Sequence, residues 1–249
     1  MNSAFVIWRD PITTMWQPVA KLTELDGIYT FSYTRGALNK KFIPFPRMGI
    51  LEKEYVSHEL LPFFQNRLIP ERRPEYYIML SWLDMAPGPN DPFEILSASG
   101  GARKTDNFRI VKVPQKSAKN EYRLKFFISG IAYISDEAKH DLLNLDNTVF
   151  LPCMNEDKNQ VDSNAVAIIN PKTGRRLGYY PRYLNEDLIR VNRMLGVTGS
   201  ELLTKIRVLK VNLSAPEQYR VFCESVTSWP DGFSPFQSDS YKLLVDQVN

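Results

Sequence analysis

One segment in the second half of the chain limits the local fold more than any other. Residues 159–168 read Asn-Gln-Val-Asp-Ser-Asn-Ala-Val-Ala-Ile, and residues 174–182 read Gly-Arg-Arg-Leu-Gly-Tyr-Tyr-Pro-Arg. Asp162 and Asn164 can bond the backbone of their own turn, and the apolar run at 165–168 is typical of a strand. The pattern predicts a β-hairpin with a polar entrance, whose second strand ends in aromatic and basic residues.

The composition sets the size and the charge of any site. A chain of 249 residues, 43% hydrophobic and 24% charged, is typical of a globular protein and can hold two modest domains with separate cores. The formal net charge is only +3, whereas proteins that hold nucleic acid mainly by counterion release usually carry a larger basic excess. We therefore expect any nucleic-acid site to be local and to recognise an end rather than a long backbone.

The sequence gives no indication of a membrane segment or a disulfide. The first residues lack a basic region followed by a long apolar run, and no stretch approaches membrane-spanning length. We expect a cytoplasmic protein without membrane contact. Cys153 and Cys223 lie far apart in apolar, strand-like runs, and we predict that both are buried free thiols.

Residues for metal binding or catalysis are sparse. The chain has 2 histidines, His58 and His140, without Cys-x-x-Cys or His-x-x-x-His spacing, so we expect no metal site and no cofactor. No serine or cysteine belongs to a recognisable pattern with a base and an orienting group. We therefore expect no catalytic residues and no enzymatic activity.

The order of strand and helix patterns predicts an α+β protein with two domains. The first spans 1–115 and the second 116–229, with 230–249 as either a mobile tail or a docking arm. In the first domain we predict a strand at Gly27–Tyr33 and a helix capped by Ser57. We also expect a second helix beginning near Pro74, an apolar segment at 93–96 before a turn at Gly100 and Gly101, and a strand at 107–113.

The second domain is predicted to be strand-dominated with one or two helices, which favours a small, partly open β-barrel. In its clearest helix, Asn185 is the predicted cap, Glu186 and Asp187 occupy the first turn, and Gly196 ends the helix. The strand candidates are 122–128, 148–151, 165–169, 176–180, 205–211 and 220–225.

The hairpin residues also resemble a known family, the HIRAN domain. Its core pattern is Asn-x-x-Asp-x-Asn-Ala before Ile or Val, then Gly-Tyr, Ile or Val, Pro, and Arg or Lys; residues 159–166 and 178–182 are similar to it. The resemblance implies a small β-barrel that captures the 3′ end of single-stranded DNA.

The resemblance also implies roles for single residues. Asp162 stands where the family's aspartate accepts a hydrogen bond from the terminal 3′-hydroxyl, Tyr133 where an aromatic stacks on the last base, and Arg182 where a basic residue meets phosphate. Val161 replaces an aromatic and Ala132 a basic residue of a DNA-end-binding member. The full candidate set is Tyr133, Asp162, Asn164, Arg175, Arg176, Tyr179 and Arg182.

Each of these residues has a structural alternative. Asp162 can serve only to close its turn, and Tyr133 and Tyr179 can be aromatics at the edge of the core. The arginines at 175, 176 and 182 can form a solvated hairpin face, although their clustering near Lys172 favours a phosphate-facing patch.

The first domain is similar to a second family, the N-terminal subdomain of HipA-type serine/threonine kinases. The similar segments are Lys21–Tyr33, Phe63–Glu71 and Pro92–Ser97. Arg67 stands where the family has Leu, and residues 100–106 depart from its later glycine motif. The glycine-rich phosphate loop and the catalytic-loop motifs of a kinase body do not occur in the sequence.

These resemblances together imply a non-catalytic, antitoxin-like regulator, in which the first domain contacts a separate HipA-like kinase and the HIRAN-like domain binds DNA. One alternative is a DNA-end-binding adaptor in repair or phage defence that has no kinase partner. A second is a structural interaction protein whose barrel does not bind DNA. For the first domain itself, the structural alternative is a reused small α+β module that serves as a scaffold. The sequence leaves the oligomeric state open.

Overall fold

The computed structural model describes residues 1–103, 105–145 and 149–245. The protein is mixed α+β with two antiparallel sheets, which confirms the predicted fold class at this level. The chain divides into two compact units. The first contains residues 1–77 and 88–113 with the described part of 234–249, and the second contains 78–87 and 114–233.

Among the described residues of the first unit, the sheet has five strands. They are β1 (Asn2–Arg9), β2 (Trp16–Leu25), β3 (Ile28–Tyr33), β4 (Tyr55–Ser57) and β5 (Phe108–Lys112), in the spatial order β4-β3-β2-β1-β5. The turn between β2 and β3 consists of Asp26 and Gly27, both with positive φ, 51° and 78°. Such a two-residue turn matches the twist of paired strands and fixes their register. The predicted strand at Gly27–Tyr33 is thus confirmed from residue 28.

The helices of this part of the chain begin at prolines. They are α1 (Pro62–Gln65), α2 (Pro74–Trp82) and α3 (Pro92–Ser99), so the helix predicted near Pro74 is confirmed. The predicted cap at Ser57 is wrong, because Ser57 ends β4 and its hydroxyl accepts a hydrogen bond from the Glu59 amide at 3.0 Å. Helix α1 starts at the proline instead, where a missing N–H costs no helical hydrogen bond.

The core of the first unit is aromatic. Phe31 packs edge-on against Tyr33 and Phe64, with ring centroids 5.0 and 6.2 Å apart. The C-terminal segment adds Leu244 to this core, and the Leu244 amide donates to the Tyr33 carbonyl at 3.0 Å. Residues 234–245 therefore pack within the first unit.

Over the residues that the structure describes, the sheet of the second unit has six strands. They are β6 (Glu121–Phe127), β7 (Phe150–Asn155), β8 (Val166–Ile169), β9 (Arg176–Tyr179), β10 (Glu201–Val211) and β11 (Val221–Ser228), in the order β6-β11-β10-β7-β8-β9. The predicted hairpin is confirmed as β8 and β9, which pair antiparallel. The predicted start of β7 at Thr148 lies outside the described residues.

The two edges of this sheet meet at one residue pair. Ser129, just after β6, and Tyr179, at the end of β9, exchange both backbone hydrogen bonds at 2.8 Å. Gly178 lies against this bridge with φ 144°, and a Cβ there would lie 2.7 Å from the Ser129 oxygen. The close approach of the edges therefore requires a residue without a side chain at 178.

In the described part of the second unit, helices α4 (Asp136–Leu143) and α5 (Asn185–Met194) accompany the sheet. Asn185 was predicted as the cap of α5 but is its first residue, because a 3₁₀ turn at Arg182–Leu184 leads directly into the helix. The predicted end at Gly196 is supported by its φ of 88°.

Both cysteines are fully buried free thiols, as predicted. Burial, with a smaller contribution from Glu201, raises the pKa of Cys153 to about 12, and burial also raises the pKa of Cys223. Among the described residues, no helix is both long enough and apolar enough to cross a membrane.

Candidate nucleic-acid interface

The carboxylate of Asp162 is the centre of a polar cluster at the hairpin entrance. Its Oδ1 accepts a hydrogen bond from the Asn164 amide at 3.0 Å, and its Oδ2 accepts one from the Asn185 side chain at 3.3 Å. Arg182 Nε lies 3.1 Å from the same Oδ2, with side chains 25% (Arg182) and 17% (Asp162) exposed. Asp162 thus closes its own turn and is also tied to α5.

Arg182 holds the turn from a second point. Its Nη2 donates to the carbonyl of Val161 at 3.1 Å, next to the ion pair with Asp162. Because Arg182 begins the 3₁₀ turn that leads into α5, one guanidinium fixes the polar turn against that segment. The resemblance implies that Arg182 meets a phosphate, and in the structure its guanidinium also bonds the protein's own turn.

A second cluster supports the turn from the side of β9. Asn159 accepts hydrogen bonds from the amides of Val161 and Asp162 at 3.0 and 3.2 Å. Its own amide donates to Glu156 at 3.0 Å, and the Tyr179 hydroxyl donates to the same Glu156 oxygen at 3.0 Å. Tyr179 is therefore anchored through its hydroxyl.

The ionisation of this second cluster follows from its contacts. Burial disfavours the charged form of Glu156, but hydrogen bonds from Asn159, Tyr179 and Arg176 outweigh it, so the pKa of Glu156 lies below its ordinary value. Burial, together with the hydrogen bond to this carboxylate, raises the pKa of Tyr179. At neutral pH the pair is a carboxylate that accepts from a neutral phenol.

Tyr133, by contrast, is 87% exposed. It ends a 3₁₀ turn at Ile131–Tyr133 that directly follows Gly130, and a Cβ built on Gly130 would lie 3.2 Å from the Tyr179 ring. The bridge between Ser129 and Tyr179 thus brings the turn that carries Tyr133 close to Tyr179. The reading of Tyr133 as a core-edge aromatic is wrong, because the core does not cover its side chain.

Two other exposed positions lie in the same segments. Val161 is 77% exposed, and Ala132, next to Tyr133, is also exposed. These are the positions at which the sequence lacks the aromatic and the basic residue of the HIRAN pattern.

Each candidate arginine is paired with a carboxylate of the second unit. Arg182 pairs with Asp162, Arg176 with Glu156 at 3.3 Å, and Arg175 with Asp141 at 3.2 Å. Arg176 also lies over the ring of Tyr179, 4.9 Å from its centroid. Arg175 is directed to the end of α4, away from the partners of the other two, so the three do not share one set of contacts.

Asn164 contributes its backbone amide to Asp162, and its side chain is exposed. The sequence interpretation did not assign Glu156, Asn159 and Asn185 to the site. Asn159 carried a signal, since it opens the polar turn and side-chain amides there commonly accept from the backbone two residues later. Glu156 and Asn185 reach the site through the fold.

Comparisons of the chain with protein-family models, with curated proteins and with solved structures give no significant match. The resemblances to HIRAN and HipA-type domains therefore stay predictions that rest on the residues of the similar segments.

Proposed function

We propose that this protein is a non-catalytic regulator whose second unit binds the 3′ end of single-stranded DNA in the manner of a HIRAN domain. The observation that carries the proposal is the carboxylate of Asp162, which Asn164, Asn185 and Arg182 hold in place and which remains partly exposed. The second unit also carries the exposed ring of Tyr133. A fixed acceptor and an exposed aromatic ring suit a terminal nucleotide, which offers a hydroxyl and a base face.

Asp162 retains the capacity to accept another hydrogen bond. An ionised carboxylate has about four acceptor positions, and the three described donors are the Asn164 amide, the Asn185 amide group and Arg182 Nε. Because the side chain is 17% exposed, a terminal 3′-hydroxyl can approach from solvent. A 3′-phosphate would instead place a second negative charge beside it.

The path of the sheet supports the barrel part of the proposal. The edge strands β6 and β9 meet through Ser129 and Tyr179, as the edges of a small, partly open barrel do. The same bridge positions the turn that carries Tyr133.

The ion pairs support end recognition over backbone tracking. Arg175, Arg176 and Arg182 each face a carboxylate, so a phosphate would have to compete for each of them. Binding at this site should therefore depend weakly on salt.

The test compares oligonucleotides that end in 3′-hydroxyl or 3′-phosphate, by fluorescence anisotropy. We expect the hydroxyl end to bind more tightly, and Asp162→Asn to remove this preference. Asp157→Asn is the matched control, because Asp157 is an exposed acid of the same loop. The proposal is contradicted if both ends bind with equal affinity and a folded Asp162→Asn variant leaves these affinities unchanged.

A second candidate function concerns the first unit, as a contact for a HipA-like kinase. It is favoured by the way the three similar segments come together, since Phe31, Phe64 and Phe93 belong to one core cluster. We expect co-expression with a cognate kinase to relieve its toxicity, and Asp162→Asn to relieve it equally. If toxicity is unchanged, the alternative of a DNA-end adaptor without a kinase partner is favoured.

A further inference from the structure

One face of the second sheet points away from the core and carries both cations and apolar side chains. Along β10, the buried residues alternate with the exposed Leu203, Lys205 and Arg207. On β6, Lys125 is exposed and Arg123 half-buried. These side chains share one face because successive residues of a strand point to opposite sides, so that every second residue points to the same side.

The strand register arranges this face in two adjacent rows. In the first row Phe150, Arg207, Glu224 and Lys125 lie side by side on β7, β10, β11 and β6. In the second row the neighbours are Pro152, Lys205, Val226 and Arg123. We call these eight positions the outer rows.

The outer rows carry four cations and one carboxylate. That carboxylate, Glu224, accepts from Arg207 at 2.9 Å and from Arg123 at 3.0 Å, so it holds two guanidinium groups in fixed positions. Arg123 also pairs with Glu121 at 2.8 Å. Two acids of these strands, Glu121 and Glu201, lie outside the two rows. The centre of the face is therefore positively charged, and the acids outside the rows limit the charged area.

The outer rows also offer an aromatic surface. Phe150 is 50% exposed, and Lys205 Nζ lies 5.8 Å from its ring centroid. A base stacked on Phe150 would place its phosphate beside Lys205, which is the pairing of ring and cation that sequence-tolerant single-strand sites use. Leu203, 58% exposed, extends the apolar surface.

We propose that the outer rows bind the single strand that leads away from the 3′ end captured near Asp162, with phosphates on Lys125, Lys205 and the two arginines and a base on Phe150. The inference rests on the proposed function for the identity of its ligand. A single-stranded nucleic acid fits better than an acidic peptide because the face combines fixed positive charges with an exposed aromatic ring.

The test is a length series of oligo-dT with a free 3′-hydroxyl, 4 or 16 nucleotides long, bound to the full chain. We expect the 16-mer to bind more tightly, and the double variant Lys125→Gln/Lys205→Gln to remove this advantage while it leaves the 4-mer unaffected. Losing two phosphate contacts should lower the slope of log affinity against log salt by about 1.4.

The matched control is Lys116→Gln/Lys119→Gln, which removes two exposed lysines of the same unit. It should keep the length dependence. Phe150→Leu, which keeps an apolar side chain, should weaken 16-mer binding at least about fivefold.

The outcomes separate this inference from the proposed function. If the double variant behaves like its control, the outer rows do not bind the strand, whether or not Asp162→Asn removes the end preference. If the preference for the 3′-hydroxyl end is missing but the double variant at Lys125 and Lys205 removes the length dependence, the proposed function is wrong. Binding of the strand by the outer rows is then still supported. If poly-glutamate displaces the 16-mer as effectively as unlabelled oligo-dT does, the face binds acidic polypeptides and the inference is overturned. The inference is also overturned if neither oligonucleotide binds.

Discussion

Arg67 donates from both terminal nitrogens to the two carboxylate oxygens of Asp106, at 3.2 and 2.6 Å. The Arg67 side chain is only 2% exposed, and its guanidinium lies 4.1 Å from the ring centroid of Phe63. It also donates to the Gly101 carbonyl at 2.7 Å. Arg67 and Asp106 both lie where the chain departs from the HipA pattern. The ion pair links these two departures, because a buried arginine requires a carboxylate partner.

Removing the carboxylate should destabilise the first unit more than removing the arginine. Asp106→Asn leaves a buried guanidinium uncompensated, which costs about 3 kcal/mol or more. Arg67→Leu leaves a carboxylate that is 24% exposed and can be hydrated, so its cost should be smaller. Chemical denaturation of each variant measures these differences in the free energy of unfolding.

The double variant Arg67→Leu/Asp106→Asn provides the control. It removes both charges, so it should be more stable than Asp106→Asn alone, with a coupling energy of opposite sign to the single effects. Strictly additive effects would show that the pair does not act as a unit.

Local chemistry decided which parts of the fold were predictable from sequence. The β8–β9 hairpin was correct because a glycine turn joins its strands, with the Gly174 amide donating to the Asn170 carbonyl at 2.8 Å, and α2 was correct because Pro74 suits a first turn. Helix α4 was missed although Ser135 caps it, accepting from the Ala138 amide at 3.2 Å, because its apolar face is short.

The site was predictable only where a motif carried it. Asp162 and Arg182 came from the resemblance, but their contact with each other did not. The pairings of Arg175 with Asp141 and of Arg176 with Glu156 join residues 34 and 20 positions apart. No local pattern encodes them, so the sequence indicated basic residues at the hairpin but not the carboxylates with which they pair.

Gly178→Ala should open the contact between the sheet edges. The new Cβ would lie 2.5 Å from Ile128 Cγ2 and 2.7 Å from the Ser129 oxygen, at a φ of 144° that L side chains rarely adopt. We expect a loss of about 2 kcal/mol or more in the free energy of unfolding. Hydrogen exchange at the Ser129 and Tyr179 amides should accelerate, because each donates across the bridge.

Gly174→Ala is the matched control for this change. Gly174 lies in the same hairpin with φ 71°, but a Cβ there meets nothing within 4 Å. It should therefore cost only the conformational strain, about 1 kcal/mol, without faster exchange at Ser129. Equal effects of both variants would indicate that the approach of the edges is not tight.

Glu156 should make stability depend on pH in the acid range. Its pKa in the folded protein lies below the ordinary value of 4.5, so the unfolded chain takes up a proton first as pH falls. The contribution of Glu156 is therefore complete above about pH 5, and it is lost as pH falls below 4.5 through the folded pKa. Glu156→Gln should be less stable than wild type at pH 7, with a difference that shrinks below pH 4.5.

Denaturation curves between pH 3 and 7 measure this difference, and Asp157→Asn serves as the control at an exposed acid of the same loop. A difference that stays constant down to pH 3 would mean that the carboxylate contributes no pH-dependent stability.

Val161→Tyr should strengthen binding of single-stranded 3′ ends. Val161 is 77% exposed, so a larger side chain meets no packing conflict, and its carbonyl bond to Arg182 is a backbone contact that the change keeps. An added stacking platform contributes about 1–3 kcal/mol, which is about 5- to 150-fold in affinity. Leu213→Tyr places the same ring at another exposed position of the second unit, 66% exposed, and should leave the affinity unchanged. If anisotropy titrations show the same gain for both variants, the added ring acts non-specifically and the position of Val161 is not beside the captured base.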